Sequence, residues 1–442
     1  MPRPLHAPQE APFEQVIREP DFVPLLQERA GGLAQLADAL RRTGQAWNKR
    51  HYFQLLHDAD ELESFLDDHG ARDNRTFFLT RELVAGVRGL AGAGYSLAHL
   101  LGRLDAYGAP NWLDQAAYRR LVERLERSRA FVQASVARLL DALRAELAAR
   151  GVARATDPLS EDRFRPLAVR RRLPTDVGHD ELTNEGQKVA EVASKFVQTS
   201  QLVGDLKLRA VADPVDRRKL LARVCTEEQA RVYEASVHNL QSTYDTYIQG
   251  TVLEGDDPRL PRLRGYASAS LHLLEAVTQL THFYERHESD QRGLEVEQRL
   301  GALVARSEVE GVILNELLVG ASELLADGRE LAEELLGAYT NVQELEVVLP
   351  QGLTLHARPA ALIVGIVNHH ATPVELQVGA RRCNAASILE VLLTVGSQPG
   401  ERTYVFRGDE RPLRHIGLLF EHGLGERGLA DLPSDLDYLG EA

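Results

Sequence analysis

The chain contains 442 residues, enough for two or three domains, and 44% of them are hydrophobic, which suits globular cores. Its net charge of −14 argues against a nucleic-acid partner, because binding to phosphates relies on a basic surface. No apolar run reaches the roughly 18 residues of a membrane span, and the N-terminus lacks the apolar segment of a signal peptide. Cys225 and Cys383 offer no disulfide framework. We therefore expect a cytoplasmic protein.

The first 151 residues are predicted to form a helical domain. Apolar residues recur at helical spacing over residues 22–42, 48–68, 80–90 and 97–107. Residues 111–150 predict one long helix that begins at an Asn111 cap and ends at Gly151. Its leucines and valines alternate steps of three and four residues, as in a bundle or coiled-coil seam, so a homodimer through this region is one option.

Residues 152–180 are predicted to be a linker, because prolines, a glycine and a run of three arginines interrupt the helical pattern. Residues 181–341 then predict a second helical bundle, with helices over 181–208, 227–249, 262–286 and 308–338. We recognise no family for residues 1–341, and they contain no phosphate-binding loop and no dinucleotide fingerprint. Their function is not indicated by any motif.

The pattern changes in a third region, residues 342–430, which residues 431–442 follow as a tail. Alternating apolar and polar residues predict strands over 344–349, 373–378, 381–386 and 402–406, and apolar helical patterns occupy 359–368, 387–395 and 412–422. Gly379-Ala380 can form the turn of a hairpin between the second and third strands. The order βαββαβα predicts an α+β open-faced sandwich behind the all-α region, with helices on one face of one sheet.

One histidine stands where the first of these strands has ended and an apolar helix begins. His356 is followed by Arg358 and by Pro359, which suits a first helical turn. The free N–H groups of a helix N-terminus bind anions, and a nearby arginine strengthens such a site. A neutral imidazole beside an anion site is suited to carrying a phosphoryl group. The alternative is an ordinary helix-capping histidine.

Residues 355–362 and the order of elements together resemble HPr, the histidine phosphocarrier of the bacterial sugar phosphotransferase system, over about residues 344–426. The resemblance implies that Nδ1 of His356 forms a phosphohistidine and that Arg358 contacts the phosphoryl oxygens. It implies an Enzyme I-like phosphoryl donor, sugar-permease-type acceptors and no cofactor. Such a domain is a phosphoryl carrier rather than a free-standing turnover enzyme.

The resemblance also assigns roles around the second helix of this region. Ser387 matches the position that a serine kinase phosphorylates in many HPr proteins, but Ser387 and Glu390 also have the pattern of a helix capping box. Ile388, Leu389 and Leu392 stand where HPr proteins contact their partners.

Two positions depart from the family pattern. Thr354 replaces the usual glycine two residues before the histidine, and Gly352 lies two residues earlier. A β-branched residue does not easily take positive φ, so the approach to the site is altered. Glu390 stands where many relatives have glycine or lysine, on a surface that usually meets an acidic partner. Both departures predict a change in transfer rate or partner choice rather than in fold.

Other polar clusters were weighed as metal or anion sites. Residues 67–75 are rich in acids and arginines, but such a stretch is more often a solvated turn with internal ion pairs. His272 and Glu275 do not complete the paired Glu-x-x-His pattern of a di-metal bundle. The sequence therefore predicts no metal site.

Three functions remain open at this point. The first is a phosphocarrier or a phosphorylation-dependent regulator, and the large fused helical region favours regulation. The second is a non-transferring HPr-like interaction module on a helical scaffold, since a fold does not fix a function. The third is a helical region that is itself an enzyme or a ligand sensor. The order His356, Arg358, Pro359 favours the first.

Overall fold

The computed structural model describes residues 16–43, 45–152, 159, 164, 185–286, 294–426 and 428–440. The predicted linker at 152–180 lies almost wholly outside these residues. Two compact units share the chain: Met1–Ala98, Arg129–Arg170 and His282–Glu308 form the first, and His99–Ser128, Arg171–Thr281 and Val309–Ala442 form the second. This division differs from the consecutive helical domains expected at 1–151 and 181–341. Several boundaries fall inside helices, where no loop composition marks them.

The helices described before residue 152 are α1 (Glu19–Arg42), α2 (Lys49–Asp68), α3 (Phe78–Leu101), α4 (Ala109–Trp112) and α5 (Gln115–Ala149). The prediction of two short helices over 80–90 and 97–107 is wrong, because α3 is continuous. Glycines lie between the two predicted segments. A Cβ on Gly94 would lie 2.2 Å from the ring of Tyr52, so this glycine permits close packing rather than a turn.

The prediction of one helix over 111–150 is also wrong. The chain leaves helical geometry at Leu113, which has φ −93° and ψ 145°. Asp114 then caps α5, since its Oδ1 accepts a hydrogen bond of 2.7 Å from the backbone N–H of Ala117. Asn111 therefore lies within the short α4 and does not cap the long helix.

The next described helices are α6 (Glu185–Gly204), α7 (Pro214–Val224), α8 (Glu227–Tyr247), α9 (Val252–Asp256), α10 (Arg259–Arg286), α11 (Leu294–Leu303), α12 (Arg306–Gly311) and α13 (Val319–Tyr339). Three of these, α6, α8 and α10, match predicted helices, and α12 and α13 together match the helix predicted over 308–338, whereas α7, α9 and α11 were not predicted. Within the described residues, no helix has both the length and the apolar character needed to cross a bilayer.

A π-helical segment, Val312–Leu318, joins α12 to α13 without a break. Its Asn315 side chain accepts a hydrogen bond from the backbone N–H of Val211 at 2.9 Å and donates one to the carbonyl oxygen of Val211 at 3.0 Å. This paired contact fastens the chain between α6 and α7 to the helix. The widened turn therefore carries the side-chain amide that holds the chain between α6 and α7 in place.

The predicted βαββαβα domain is confirmed. Its strands are β1 (Val342–Val348), β2 (Val374–Val378), β3 (Arg381–Asn384) and β4 (Thr403–Asp409), and its helices are α14 (Ala357–His370), α15 (Ile388–Gly396) and α16 (Glu410–Glu421). The sheet order is β1-β4-β2-β3, and every neighbouring pair is antiparallel. Alternate residues of β2 are buried with the apolar faces of α14 and α16 in one core, which includes Leu376, Phe406, Ile363 and Ile416.

The segment predicted as a tail packs onto this domain. After α16, short 3-10 turns at Leu429–Asp431 and Ser434–Gly440 carry Leu436 and Leu439 into the same core. A Cβ on Gly365 of α14 would approach the side chain of Leu439 to 3.0 Å, so the helix has little space at this point. The tail therefore covers the back of the helix that begins at His356.

Candidate functional site

The loop before His356 is anchored at its start by the residue that precedes β4, the neighbour of β1 in the sheet. The guanidinium of Arg402, just before β4, donates hydrogen bonds of 2.6 Å to the carbonyl oxygens of Leu349 and Pro350. Gly352 then takes a left-handed conformation, with φ +80°. Thr354 is not among the described residues with positive φ. The turn that a glycine permits is therefore made two residues before the position of Thr354.

His356 is the N-cap of α14, with extended backbone angles of φ −102° and ψ −165°. Its Nδ1 accepts a weak hydrogen bond of 3.4 Å from the backbone N–H of Arg358. Its carbonyl oxygen accepts the first regular helical bond, from the N–H of Ala360 at 3.0 Å. The side chain is 52% exposed, so a second protein can reach the imidazole.

Glu426 is the partner of the other ring nitrogen, and the sequence did not suggest it. Its Oε1 lies 3.1 Å from Nε2 of His356. Nδ1 faces an N–H donor and Nε2 lies near a carboxylate oxygen that has no hydrogen bond within the described residues, so in the tautomer with the proton on Nε2 that proton lies beside an acceptor. That tautomer leaves the lone pair of Nδ1 available for attack.

An unusual turn brings Glu426 to the histidine. After α16, Gly423, Leu424 and Gly425 have φ of +69°, +59° and +68°. A left-handed residue that is not glycine costs about 1–2 kcal/mol, and Leu424 offsets this cost by complete burial in the core. The Gly-Leu-Gly sequence signals a chain reversal, but only the fold shows that it ends beside His356.

Arg358 and the first turn of α14 complete the site. The Arg358 side chain is exposed and forms no ion pair with another described residue. Pro359 and Ala360 are buried beneath it, which fixes the start of the helix. The structure thus gathers an accessible imidazole, an unpaired guanidinium and the positive end of a helix dipole, a combination that can bind and carry an anion.

Ser387 caps α15, with Oγ accepting a hydrogen bond of 3.4 Å from the N–H of Glu390. The Glu390 carboxylate does not return to Ser387 as a capping box requires. Its Oε2 instead accepts a hydrogen bond of 3.1 Å from the N–H of Asn384, at the end of β3. Glu390 therefore has a local structural role in the β3–α15 turn.

The three apolar residues of α15 that are predicted to contact a partner differ in exposure. Ile388 is 40% exposed and Leu389 is 65% exposed, whereas Leu392 packs against the core of the domain. Leu393, which is not among the predicted partner residues, is 62% exposed. The apolar surface of α15 is therefore formed by Ile388, Leu389 and Leu393.

The other polar clusters have structural partners. Asp67 pairs with Arg81, which is 1% exposed and also contacts Glu63 and Glu82. The Nδ1 of His272 lies 2.9 Å from Glu275. Across the described ranges, no group of three or more His, Cys, Asp or Glu side chains is arranged to hold a metal ion.

The fold and the site together define an HPr-like domain, with a histidine at the N-cap of the first helix and an arginine two residues later. Residues 342–406 match the family model described as the PTS HPr component phosphorylation site. No family model matches the region before it. A search of curated proteins found no match, and a search of solved structures found none either.

Proposed function

We propose that this protein is a phosphocarrier or a phosphorylation-dependent regulator of a PEP-dependent phosphotransferase system, and that it accepts a phosphoryl group on His356. The observation that carries the proposal is the state of the imidazole. Its Nε2 lies beside the Glu426 carboxylate, and its Nδ1 lies at the N-terminus of α14. The sequence match supports the same assignment.

The transfer requires no cofactor. The lone pair of Nδ1 attacks phosphorus, a P–N bond forms, and the bond between phosphorus and the donor breaks with its electron pair leaving on the donor. Positive charge then grows on the imidazole ring, whose Nε2 proton stays beside Glu426. A carboxylate placed where charge develops lowers the barrier. We assign Glu426 as a positioning residue and His356 as the catalytic one.

The added phosphoryl oxygens need donors. The N–H of Arg358, which approaches Nδ1 in the free domain, becomes available to an oxygen once Nδ1 is bonded to phosphorus. The exposed guanidinium of Arg358 can turn onto the same group and pair with two oxygens. The helix dipole adds a fixed favourable potential.

We further propose that an Enzyme I-like donor docks on the apolar surface of α15 formed by Ile388, Leu389 and Leu393, since clustered exposed apolar side chains favour a protein partner. Permease-type acceptors would use the same surface. A serine kinase acting on Ser387 is less well supported, because a phosphate there would meet the nearby Glu390 carboxylate. A homodimer through the helical region is a separate proposal, which light scattering of the full chain tests.

Close attachment of the HPr-like domain to the helix before it favours regulation over simple transfer. Only Thr340 and Asn341 separate α13 from β1. The N–H of Asn341 donates a hydrogen bond of 2.9 Å to Oδ1 of Asp409 in β4, and Arg411 bonds Asp409 and the carbonyl oxygen of Tyr339. These hydrogen bonds connect the domain to the C-terminal end of α13, so we propose that a change of charge on the domain alters the position of that helix end.

The test is labelling with PEP and the cognate Enzyme I, followed by assay for acid-labile phosphate. We expect label on the wild type and none on His356→Ala. A matched control is His422→Ala, since His422 is also exposed in this domain and, among the described residues, its side chain bonds the carbonyl oxygen of Leu418 in the preceding helix. Absence of label with an active Enzyme I would reject the carrier and favour the non-transferring interaction module, which binds partners through α15 without chemistry.

A further inference from the structure

The first compact unit contains a cavity of about 530 Å³ between α1, the chain that follows it and α5. This volume falls within the range of small-molecule sites, about 300–1,000 Å³. Leu40, Leu140 and the Trp47 ring supply apolar walls. On α5 the cavity is lined by alanines at helical spacing, including Ala130 and Ala134, whose small side chains leave the space open.

The charged residues of the lining favour an anion. Arg129 lines the cavity and forms no ion pair or hydrogen bond with any other described residue. Arg41 also lines it and lies 3.8 Å from Asp141. Asp141 lines the cavity as well and is shared with Arg144 at 3.2 Å, so this one carboxylate does not neutralise both lining arginines. A locally positive cavity in a chain of net charge −14 is a distinct feature.

Two buried polar groups, one on the lining residue Trp47 and one on Tyr52, which follows it in the sequence, have no partner within the described chain. The indole N–H of Trp47 and the hydroxyl of Tyr52 each make no hydrogen bond, although both residues are at most 3% exposed. The two rings contact each other edge to face at 5.8 Å. Buried donors without partners destabilise a fold. The lining residue Trp47 thus has a donor without a partner in the described chain, in the same unit as the unpaired Arg129.

We propose that this cavity binds an organic anion with an apolar, preferably flat, body and a carboxylate or phosphate group. The anionic group would pair with the Arg129 guanidinium, which can offer two parallel N–H donors. The apolar body would lie against Trp47 and the alanines of α5. This inference does not depend on phosphorylation of His356, and it gives the helical region a ligand of its own.

The test is isothermal titration of the full chain with three anions, 2-naphthoate, octanoate and phenyl phosphate. The neutral analogue 2-naphthalenemethanol measures the apolar contribution alone. We expect saturable binding of at least one anion at millimolar or lower concentration. Arg129→Gln should weaken anion binding by about ten-fold, since a charge-assisted hydrogen bond is lost, and should leave binding of the neutral alcohol almost unchanged.

Two further variants decide the location. Arg119→Gln removes an exposed arginine of the same helix outside the lining and should change nothing. Ala134→Phe places a large side chain on the cavity wall and should abolish binding of the anion and of the alcohol. The proposal is overturned if no anion binds, if Arg129→Gln binds as the wild type does, or if folded Ala134→Phe retains binding.

Discussion

Replacing Glu426 by glutamine tests the role assigned to this carboxylate with almost no change in shape. The oxygen lies 3.1 Å from Nε2 of His356, and the two side chains are 29% and 52% exposed. In bulk water, two unit charges at this distance interact by about 1.3 kcal/mol, and exposed ion pairs measure about 0.2–1 kcal/mol. A loss of about 0.5–1 kcal/mol of charge stabilisation slows phosphorylation about two- to five-fold.

Single-turnover phosphorylation by Enzyme I measures this rate, and NMR of the phosphorylated chain gives the ring nitrogen that carries phosphorus. Glu421→Gln is the matched control, because Glu421 is exposed at the end of α16. We expect the Glu426 variant to be slower and to lose selectivity for Nδ1, since the neutral amide no longer fixes the proton on Nε2. Equal rates and equal selectivity in both variants would refute the reasoning.

Three further predictions follow from the same structure. Arg358→Gln should leave the fold intact, since the side chain is exposed, and should slow phosphorylation of the domain about ten-fold by loss of a charge-assisted contact; a normal rate would exclude phosphoryl contact. Arg81→Met should lower the free energy of unfolding by about 3 kcal/mol, because Glu63 and Glu82 lose the buried guanidinium that bridges them; urea titration followed by the fluorescence of a Trp112→Phe background, in which Trp47 is the remaining tryptophan, measures it. Burial lowers the pKa of His370 to about 3. Between pH 6.5 and pH 3 the unfolded chain therefore binds a proton that the folded domain does not. The free energy of unfolding consequently falls as the pH drops below about 6.5. At pH 5 the cost is about 2 kcal/mol. Hydrogen exchange at pH 7 and pH 5, corrected for intrinsic rates, should show this loss in the wild type and much less of it in His370→Gln.

The HPr-like domain could be predicted well from sequence because its signals are local. Alternation with period two places strands, as in β2, where buried and half-buried residues alternate as predicted. The start of α14 follows from Pro359, which suits a first turn. These features depend on neighbouring residues, so a single sequence contains them.

The helical region was predicted less well, because packing decided its boundaries. A glycine-rich stretch continues as helix where Gly94 meets Tyr52, and a helix that the apolar pattern left continuous breaks before Asp114. The helix α7 begins at an Asp213 cap that is followed by proline, but its apolar residues do not form a pattern strong enough to predict a helix. The two compact units also interleave along the chain, which no local pattern reveals.

The site was predicted in part. The helix start at His356 and Arg358 follows from local spacing, whereas Glu426 follows the last helix and approaches His356 only through the turn at Leu424. The partner surface predicted at Ile388, Leu389 and Leu392 stays a prediction; the structure shows Leu393 exposed and Leu392 packed against the core, because helical phase on a short helix depends on its packing against the sheet. Side chains that converge from distant segments need the fold.

The widened helical segment at Val312–Leu318 determines which face of the following helix, α13, points toward its neighbours. Each residue added to a helix turns the following face by about 100°, and a π turn absorbs one extra residue without ending the helix. The face that α13 presents to α6 therefore depends on that extra residue being kept. Removing a single residue here would restore ordinary winding, turn α13 against its neighbour and carry the rotation to Tyr339, which two residues separate from the first strand of the HPr-like domain.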